Sequence, residues 1–344
     1  MLLSEFIRQS IKALCSLYSE EEARSMVMYY CSEVFGFPSY IHITEPATEV
    51  PEELLCDALR DMKRLAAAEP IQYVLGYTEF CGRKFKTDAR ALIPRAETEL
   101  LCIKAKELAS TAPDAATSCA LSGWLGNSAS CALADSASVP AFASSDRSAS
   151  SSAGRPSDRS APLRILDLCT GSGCIAWTLA LDIPGAIVTA TDISPDALSL
   201  ARSQFGSVRK PALKPLFVQA DVLDVEATVG VLNGEKCELL TANPPYVMLA
   251  EKAAMRPNVL DWEPPMAIFT PEQDALVFHR AIALIARKAL SPSGKGIVEI
   301  NSDLVDETMA VFCEAGLCEV QSVPDFFDRP RFISFSQNAS AMGE

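Results

Sequence analysis

Arg164-Ile-Leu-Asp-Leu168, followed at once by Cys169-Thr-Gly-Ser-Gly-Cys174, decides how the chain folds. The apolar run from Ile165 to Leu168 describes a buried strand. Small residues then force a tight turn, and a helix begins near Ile175. Gly171 and Gly173 let the backbone approach a ligand closely. The helix behind them offers free amide donors at its N-terminus. A lone Gly-x-Gly fits a plain strand–helix turn equally well, so the neighbouring segments have to decide between the two.

Downstream, strands and helices alternate. Ile187 to Asp192 reads as a second strand, Leu216 to Ala220 as a third, Cys237 to Ala242 as a fourth and Gly296 to Ile300 as a fifth. Glu319 to Val323 and Phe332 to Phe335 are expected to close the sheet as a pair. Helical patterns lie between, notably Ala197 to Phe205 and Ala275 to Leu290. This predicts an α/β, Rossmann-like fold with a mostly parallel, doubly wound sheet of seven strands. Asp192 ends the second strand about 20 residues beyond the glycine loop, where a carboxylate accepts both hydroxyls of a ribose. Asp221 ends the third. The bland alternatives are a helix cap before Ser194-Pro195 and a turn residue. Taken together, the three strand ends describe one nucleoside-binding cleft. Ala176 stands at the third position of a Gly-x-Gly-x-x-Gly pattern, which tolerates it, so spacing alone does not exclude a dinucleotide.

Asn243-Pro244-Pro245-Tyr246 follows the fourth strand and narrows the chemistry. An amide or exocyclic amine nitrogen is a poor nucleophile, because its lone pair is delocalised. The Asn243 side-chain carbonyl and the Pro244 backbone carbonyl can each accept one of its N–H groups. That aims the lone pair and stabilises developing positive charge. Proline offers no competing N–H, and Tyr246 can stack on a planar group. Nothing in this tetrapeptide helps hydride transfer. It suits transfer of a methyl group from S-adenosylmethionine to a planar nitrogen, leaving S-adenosylhomocysteine.

Upstream, residues 1–75 read as helices. Leu3, Phe6, Ile7, Ile11 and Leu14 share one face, and Ala23, Val27, Tyr30 and Val34 another. Ser19 and Glu22 form a capping-box candidate, and Pro51 suits a first helical position. Residues 76–93 suggest a β-hairpin linker, with Ala91 to Ile93 extended. Residues 94–336 would form the α/β domain, interrupted by a Ser/Ala-rich segment at 110–161 that is expected to be flexible. Trp124, Leu125 and Phe142 would tether it locally, and 337–344 would be a tail. The 344-residue chain is 49% hydrophobic with a net charge of −14, which disfavours extended nucleic-acid binding. Twelve scattered cysteines without a Cys-x-x-Cys pair, and two distant histidines, His42 and His279, argue against a metal site. Met1 to Arg8 has no apolar signal core, so a cytoplasmic protein is expected.

Several motifs together resemble one known family. These are Glu69 to Gly76, Glu79-Phe80, Leu92-Ile-Pro-Arg-Ala-Glu-Thr-Glu99, Ile165 to Gly173, Asn243 to Tyr246 and Trp262-Glu-Pro264. The set is similar to the release-factor glutamine methyltransferases, over residues 1–109 and 162–336. The resemblance implies a class I S-adenosylmethionine-dependent methyltransferase domain. It implies N5-methylation of the glutamine amide in the Gly-Gly-Gln motif of class 1 peptide-chain release factors. Asn243 and Pro244 would hold that amide, with Pro245 and Tyr246 packed on it. Cys169, Thr170, Gly171, Ser172 and Gly173 would line the methionine part of the cofactor, together with Asn243. Asp192 would bind its ribose, and Asp221 and Val222 its adenine. Residues 1–75 would grip the release factor, and Arg95 and Glu97 would lie near the cleft mouth or form a salt-bridged hinge. A monomer with no membrane and no stable nucleic-acid partner is expected.

The chain departs from the family pattern at Cys169, where a glycine is usual, and at Ala96, where proline is common. The loop Phe269 to Asp274 lacks the usual glycines. Adenine-N6 or guanine-N2 amino-methyltransferases share the tetrapeptide and form the main rival. A non-catalytic cofactor-binding scaffold is the second.

Overall fold

The computed structural model describes residues 1–110, 162–205, 214–271 and 274–338. Most of the Ser/Ala-rich segment, with Trp124, Leu125 and Phe142, and the end of the tail lie outside the described residues.

Five helices open the chain. They are α1 (Leu3–Leu14), α2 (Glu20–Phe35), α3 (Ile41–Thr44), α4 (Glu52–Ala66) and α5 (Ile71–Leu75). The predicted stripe of α1 is buried from Leu3 through Leu14. Ser19 and Glu22 cap α2 reciprocally, side chain to backbone in both directions, and Gly36 ends it in the left-handed conformation. Pro51 stands one position before its expected place, as the residue preceding α4. These helices share a core built on Phe6, Leu14, Tyr30 and Leu65. The Tyr30 hydroxyl is satisfied by Asp61 at 2.8 Å.

A two-stranded antiparallel hairpin follows, β1 (Tyr77–Phe80) and β2 (Arg83–Lys86). Cys81 and Gly82 both have positive φ, the tight turn that matches strand twist. The hairpin is shorter than the sequence suggested, because Ala91 to Ile93 forms no strand. There the Ile93 amide donates to the Glu263 carboxylate instead of to a β ladder.

Helix α6 (Ala96–Ser110) leads into the α/β domain: β3 (Arg164–Leu168), α7 (Cys174–Asp182), β4 (Ile187–Asp192), α8 (Pro195–Ser203), β5 (Leu216–Gln219), α9 (Val225–Gly230), β6 (Cys237–Ala242), α10 (Pro257–Leu260), α11 (Val277–Ala289), β7 (Leu290–Glu299), α12 (Val305–Glu314), β8 (Cys318–Pro324) and β9 (Pro330–Ser336). The seven-stranded sheet runs β5-β4-β3-β6-β7-β9-β8, parallel except for β9, which is antiparallel to both neighbours. Strand β7 begins earlier than predicted, since Ser291-Pro-Ser-Gly294 reads as a loop yet stays in the strand. The pleat sends Ile165, Leu239 and Ile297 to one face, against α6 and α7. It sends Leu166, Leu240 and Val298 to the other, against α11 and α12. Buried on both sides, these strands read as continuous apolar runs. The chain winds outward from β3 in one direction and from β6 in the other. The crevice therefore opens at the carboxyl ends of these two strands, where an open α/β sheet binds its ligand.

Candidate active site

The residues after β3 and β6 meet in that crevice, and Asp167 ties them together. One of its oxygens accepts from the Thr170 hydroxyl at 2.6 Å and the other from Thr241 at 2.7 Å. Burial raises its pKa to about 7, against the pull of the two hydroxyls. The loop then turns back on itself. The Thr170 amide donates to the Thr191 carbonyl, and the Gly173 amide to the Thr170 carbonyl.

The two glycines of the loop do different work. A Cβ on Gly171 would meet nothing within 4 Å, and its φ is +54°. It opens the floor of a cavity of about 430 Å³ that its backbone lines. A Cβ on Gly173 would lie 2.9 Å from the Ala201 Cβ and 3.1 Å from the Phe217 ring. Gly173 is thus excluded from bearing a side chain by the packing of α7 against α8 and β5, and it does not line the cavity. Gly173, expected from its pattern to allow close ligand approach, packs instead against Ala201 and Phe217. Cys169 takes φ +55° with a side chain present. Burial first, then the carboxylates of Asp192, Asp167 and Asp221, holds its thiol well above its usual pKa.

Asp192 accepts from the Gly171 amide at 2.8 Å and from the Ser194 amide at 2.9 Å. It joins the glycine loop to the start of α8, whose cap is Ser194. Burial raises its pKa, and the amides oppose that shift. Asp221 caps its own turn through the Leu223 amide at 2.9 Å. Cys169, Thr170, Ser172, Asp192, Asp221 and Val222 all border the cavity, with Asn243 and Pro245 at its other end. Pro244 and Tyr246 lie just beyond this lining. Pro244 is buried, and Tyr246 turns its hydroxyl inward to Glu299 at 2.9 Å. Burial, then the Glu299 carboxylate, raises the pKa of that phenol far from any role as a base.

The Asn243 amide is anchored on its nitrogen side. Nδ2 donates to Thr98 Oγ1 at 3.2 Å. The carbonyl oxygen is thereby the group left for a partner in the cleft. The cavity's far wall holds Leu92, Pro94, Met266 and Phe269. Glu263 fixes this wall. Its carboxylate takes the Ile93 amide at 3.1 Å and the Arg95 guanidinium at 2.7 Å. Arg95, expected near the cleft mouth or in a salt-bridged hinge, makes a salt bridge, and its partner is Glu263. Val247, one residue past the tetrapeptide, bridges Phe269, its amide donating to the Ile268 carbonyl and its carbonyl accepting from the Thr270 amide, so the wall is hydrogen-bonded to the tetrapeptide loop.

The release factor glutamine methyltransferase of Bacteroides thetaiotaomicron is 30% identical over 339 residues, covering 96% of this chain and 98% of that protein. This chain belongs to the release factor glutamine methyltransferase family. The relative of the same name from Flavobacterium psychrophilum is 28% identical, covering 97% and 98% of the two chains. That from Chlorobaculum tepidum is 33% identical over 77% and 74%. Among solved structures, a protein-(glutamine-N5) methyltransferase (release factor-specific) of Alicyclobacillus acidocaldarius aligns over 52% of this chain and 83% of its own, at 21% identity and a TM-score of 0.32. No protein-family profile matches the chain. As in its family, the α/β domain is a class I S-adenosylmethionine-dependent methyltransferase domain.

Four residues of this family member's site went unassigned in the sequence reading: Thr98, Asp167, Glu263 and Glu299. Asp167 and Glu299 carry a legible signal, an acid inside an otherwise apolar strand. Thr98 and Glu263 sit in the motifs quoted for the resemblance, but only the fold shows what they touch. Among the described residues no cluster of His, Cys, Asp and Glu could hold a metal ion. His279 is buried with Nε2 against the Glu299 carbonyl at 3.1 Å, and burial lowers its pKa to about 4. No described helix is long and apolar enough to cross a membrane.

Proposed function

We propose that the chain methylates the side-chain amide nitrogen of the glutamine in the Gly-Gly-Gln motif of class 1 peptide-chain release factors, with S-adenosylmethionine as donor. The observation that carries this is Asn243, which lines the cavity and whose amide is tied down through Nδ2, leaving its oxygen unengaged by that contact.

The residues suit the donor. A cavity of about 430 Å³ lies within the roughly 300–1,000 Å³ of ligand sites. Gly171 leaves open the space a Cβ would fill. Acidic groups at two strand ends, Asp192 and Asp221, match a ribose and an adenine edge. Thr170 to Ser172 would hold the methionine part and Asp192 the ribose. The Asp221–Val222 corner would hold the adenine. When bound, the cofactor supplies a methyl group on a positively charged sulfur.

The protein then has two tasks. Asn243 Oδ1 and the Pro244 carbonyl accept the two N–H groups of the glutamine amide, turning its lone pair toward the methyl carbon. They would also stabilise the positive charge that develops on the amide nitrogen. Tyr246 and Pro245 pack on the planar amide. The methylated nitrogen is acidic enough to lose one proton to water, so no base is required. The products are N5-methylglutamine and S-adenosylhomocysteine.

In this reading residues 1–75 recognise the release factor outside the cleft, 76–93 link them to the catalytic domain at 94–336, and 337–344 form a tail. The protein works as a monomer in the cytoplasm. A net charge of −14 opposes a nucleic-acid substrate. The test incubates the protein and labelled S-adenosylmethionine with a release factor, its Gln→Ala variant, RNA and DNA. Label on the unaltered factor alone is the expected result. Label on nucleic acid, or on the Gln→Ala factor, overturns the proposal.

A further inference from the structure

Asn243 serves an incoming N–H only if its amide is held one way round. An asparagine side chain presents a carbonyl and an NH2 of nearly the same shape, and only its surroundings choose between them. Here the choice is made two residues deeper. Asn243 Nδ2 donates to Thr98 Oγ1 at 3.2 Å, and Thr98 donates its one hydroxyl hydrogen to Glu299 Oε2 at 2.9 Å. The second carboxylate oxygen accepts from the Tyr246 hydroxyl at 2.9 Å. An ionised carboxylate has no hydrogen to give. In its carboxylate form, which the Thr98 and Tyr246 hydroxyls favour against the upward pull of burial, Glu299 takes the Thr98 hydrogen and leaves the lone pairs of Thr98 for Asn243.

We propose that Thr98 and Glu299 are positioning residues that lock the Asn243 amide with its oxygen toward the substrate and pin Tyr246 beside it. This rests on the reading of Asn243 as the substrate's acceptor. The three parts come from different regions of the chain. Thr98 is in the first turn of α6, Glu299 ends β7, and the tetrapeptide follows β6. The helix ahead of the cofactor strand thus reaches under the reacting group and sets its orientation.

Glu299 is a costly way to fill this space. It is 1% exposed, and the contacts made by its carboxylate are two hydroxyls. A buried charge costs stability that two hydroxyls and the positive charge of Arg331 offset only in part, and a neutral side chain would relieve that cost. Ionised Glu299 accepts at both oxygens at once, as a glutamine cannot, and this is what fixes Thr98 and Tyr246 together.

The test uses the full-length protein, a release factor and S-adenosylmethionine. It compares Asn243→Ala, Thr98→Val, Thr98→Ser and Glu299→Gln by kcat, KM for the factor, cofactor Kd by calorimetry, and thermal melting. Thr98→Val removes the acceptor for Nδ2 and should lower kcat by about 100-fold, the cost of a misoriented reacting group. Cofactor Kd should stay within about threefold of the parent, well short of a tenfold change, which corresponds to 1.4 kcal/mol. Thr98→Ser restores the hydroxyl and should recover kcat to within about tenfold of the parent, a deficit of about 1.4 kcal/mol. Glu299→Gln should lower kcat without lowering the melting temperature, a split that a merely structural residue would not give. If Glu299→Gln instead fails to fold, the Thr98 pair decides the matter alone. Parental kcat in Thr98→Val, with Asn243→Ala inactive, overturns the positioning proposal and leaves the amide clamp standing. Parental kcat in Asn243→Ala overturns the clamp itself.

Discussion

Cys169 occupies the left-handed region at φ +55°, a conformation that costs an ordinary L-residue about 1–2 kcal/mol. The usual glycine at this position in the family has a backbone reason as well as a steric one. Cys169→Gly should relieve the strain and give back part of it as unfolded-chain entropy. The expected net gain is about 0.5–1 kcal/mol, read by urea melts. Because Cys169 borders the cavity, cofactor affinity in calorimetry should hold or rise. A loss of stability in that variant would mean the loop relaxes when cysteine is present. The same scale separates Gly171 from Gly173, identical letters that serve an open cradle and a crowded helix start. The sequence pattern cannot tell them apart, because the atoms that crowd Gly173 come from Ala201 and Phe217, far along the chain.

At the scale of elements, the cavity's far wall hangs on one carboxylate. Glu263 holds Ile93 and Arg95 from a loop that follows α10. Glu263→Ala would leave the Ile93 amide unmet and the Arg95 guanidinium, about one third exposed, without its partner. A loss of about 1–3 kcal/mol is expected, with weaker cofactor binding because the cavity-lining Leu92 and Pro94 flank Ile93. Unchanged melting and unchanged cofactor affinity together would show that this wall does not depend on the clamp. Element identity was largely legible from periodicity. All seven strands of the sheet and the three longer helices of residues 1–75 follow from it. What escaped has physical causes. Ala91 to Ile93 has strand-like residues, yet its amide at Ile93 is claimed by a side chain 170 positions away. The start of β7 hides in Ser291-Pro-Ser-Gly294, whose composition says turn while the parallel neighbour β6 supplies its pairing at Leu290.

At the scale of the whole molecule, three carboxylates, Asp167 and Glu299 buried and Asp192 half-buried, share one direction of shift. Burial raises Asp167, Asp192 and Glu299, and two of them, Asp167 and Asp192, brace the ends of β3 and β4. For Asp167 the folded value of about 7 lies above the unfolded value of about 4. The folded protein then holds the proton more tightly between these limits, so stability falls as pH rises from about 4 to about 7. Each such group contributes at most about 1.4 kcal/mol per pH unit. Asp167→Asn should flatten this part of the curve in urea melts taken across that range. A slope equal to the parent's would assign the pH dependence elsewhere, for instance to the net charge of −14. The site was legible to different depths at this scale. Glycine loop, acidic strand ends and tetrapeptide could be read because each sits at a strand's carboxyl end, where topology converges them. Of the support beneath them, Glu299 shows only as an acid in an apolar strand, and its link through Thr98 to Asn243 could not be read, because it joins three regions that only the folded sheet brings together.

The most direct test of the account is the location of the transferred methyl group. A class 1 release factor treated with this protein and S-adenosylmethionine is digested and read by tandem mass spectrometry, beside an Asn243→Ala control that binds the cofactor. The account predicts one added methyl group on the side-chain nitrogen of the Gly-Gly-Gln glutamine with the parent protein and none with the control. Methylation at any other residue, or equal methylation by Asn243→Ala, would contradict it.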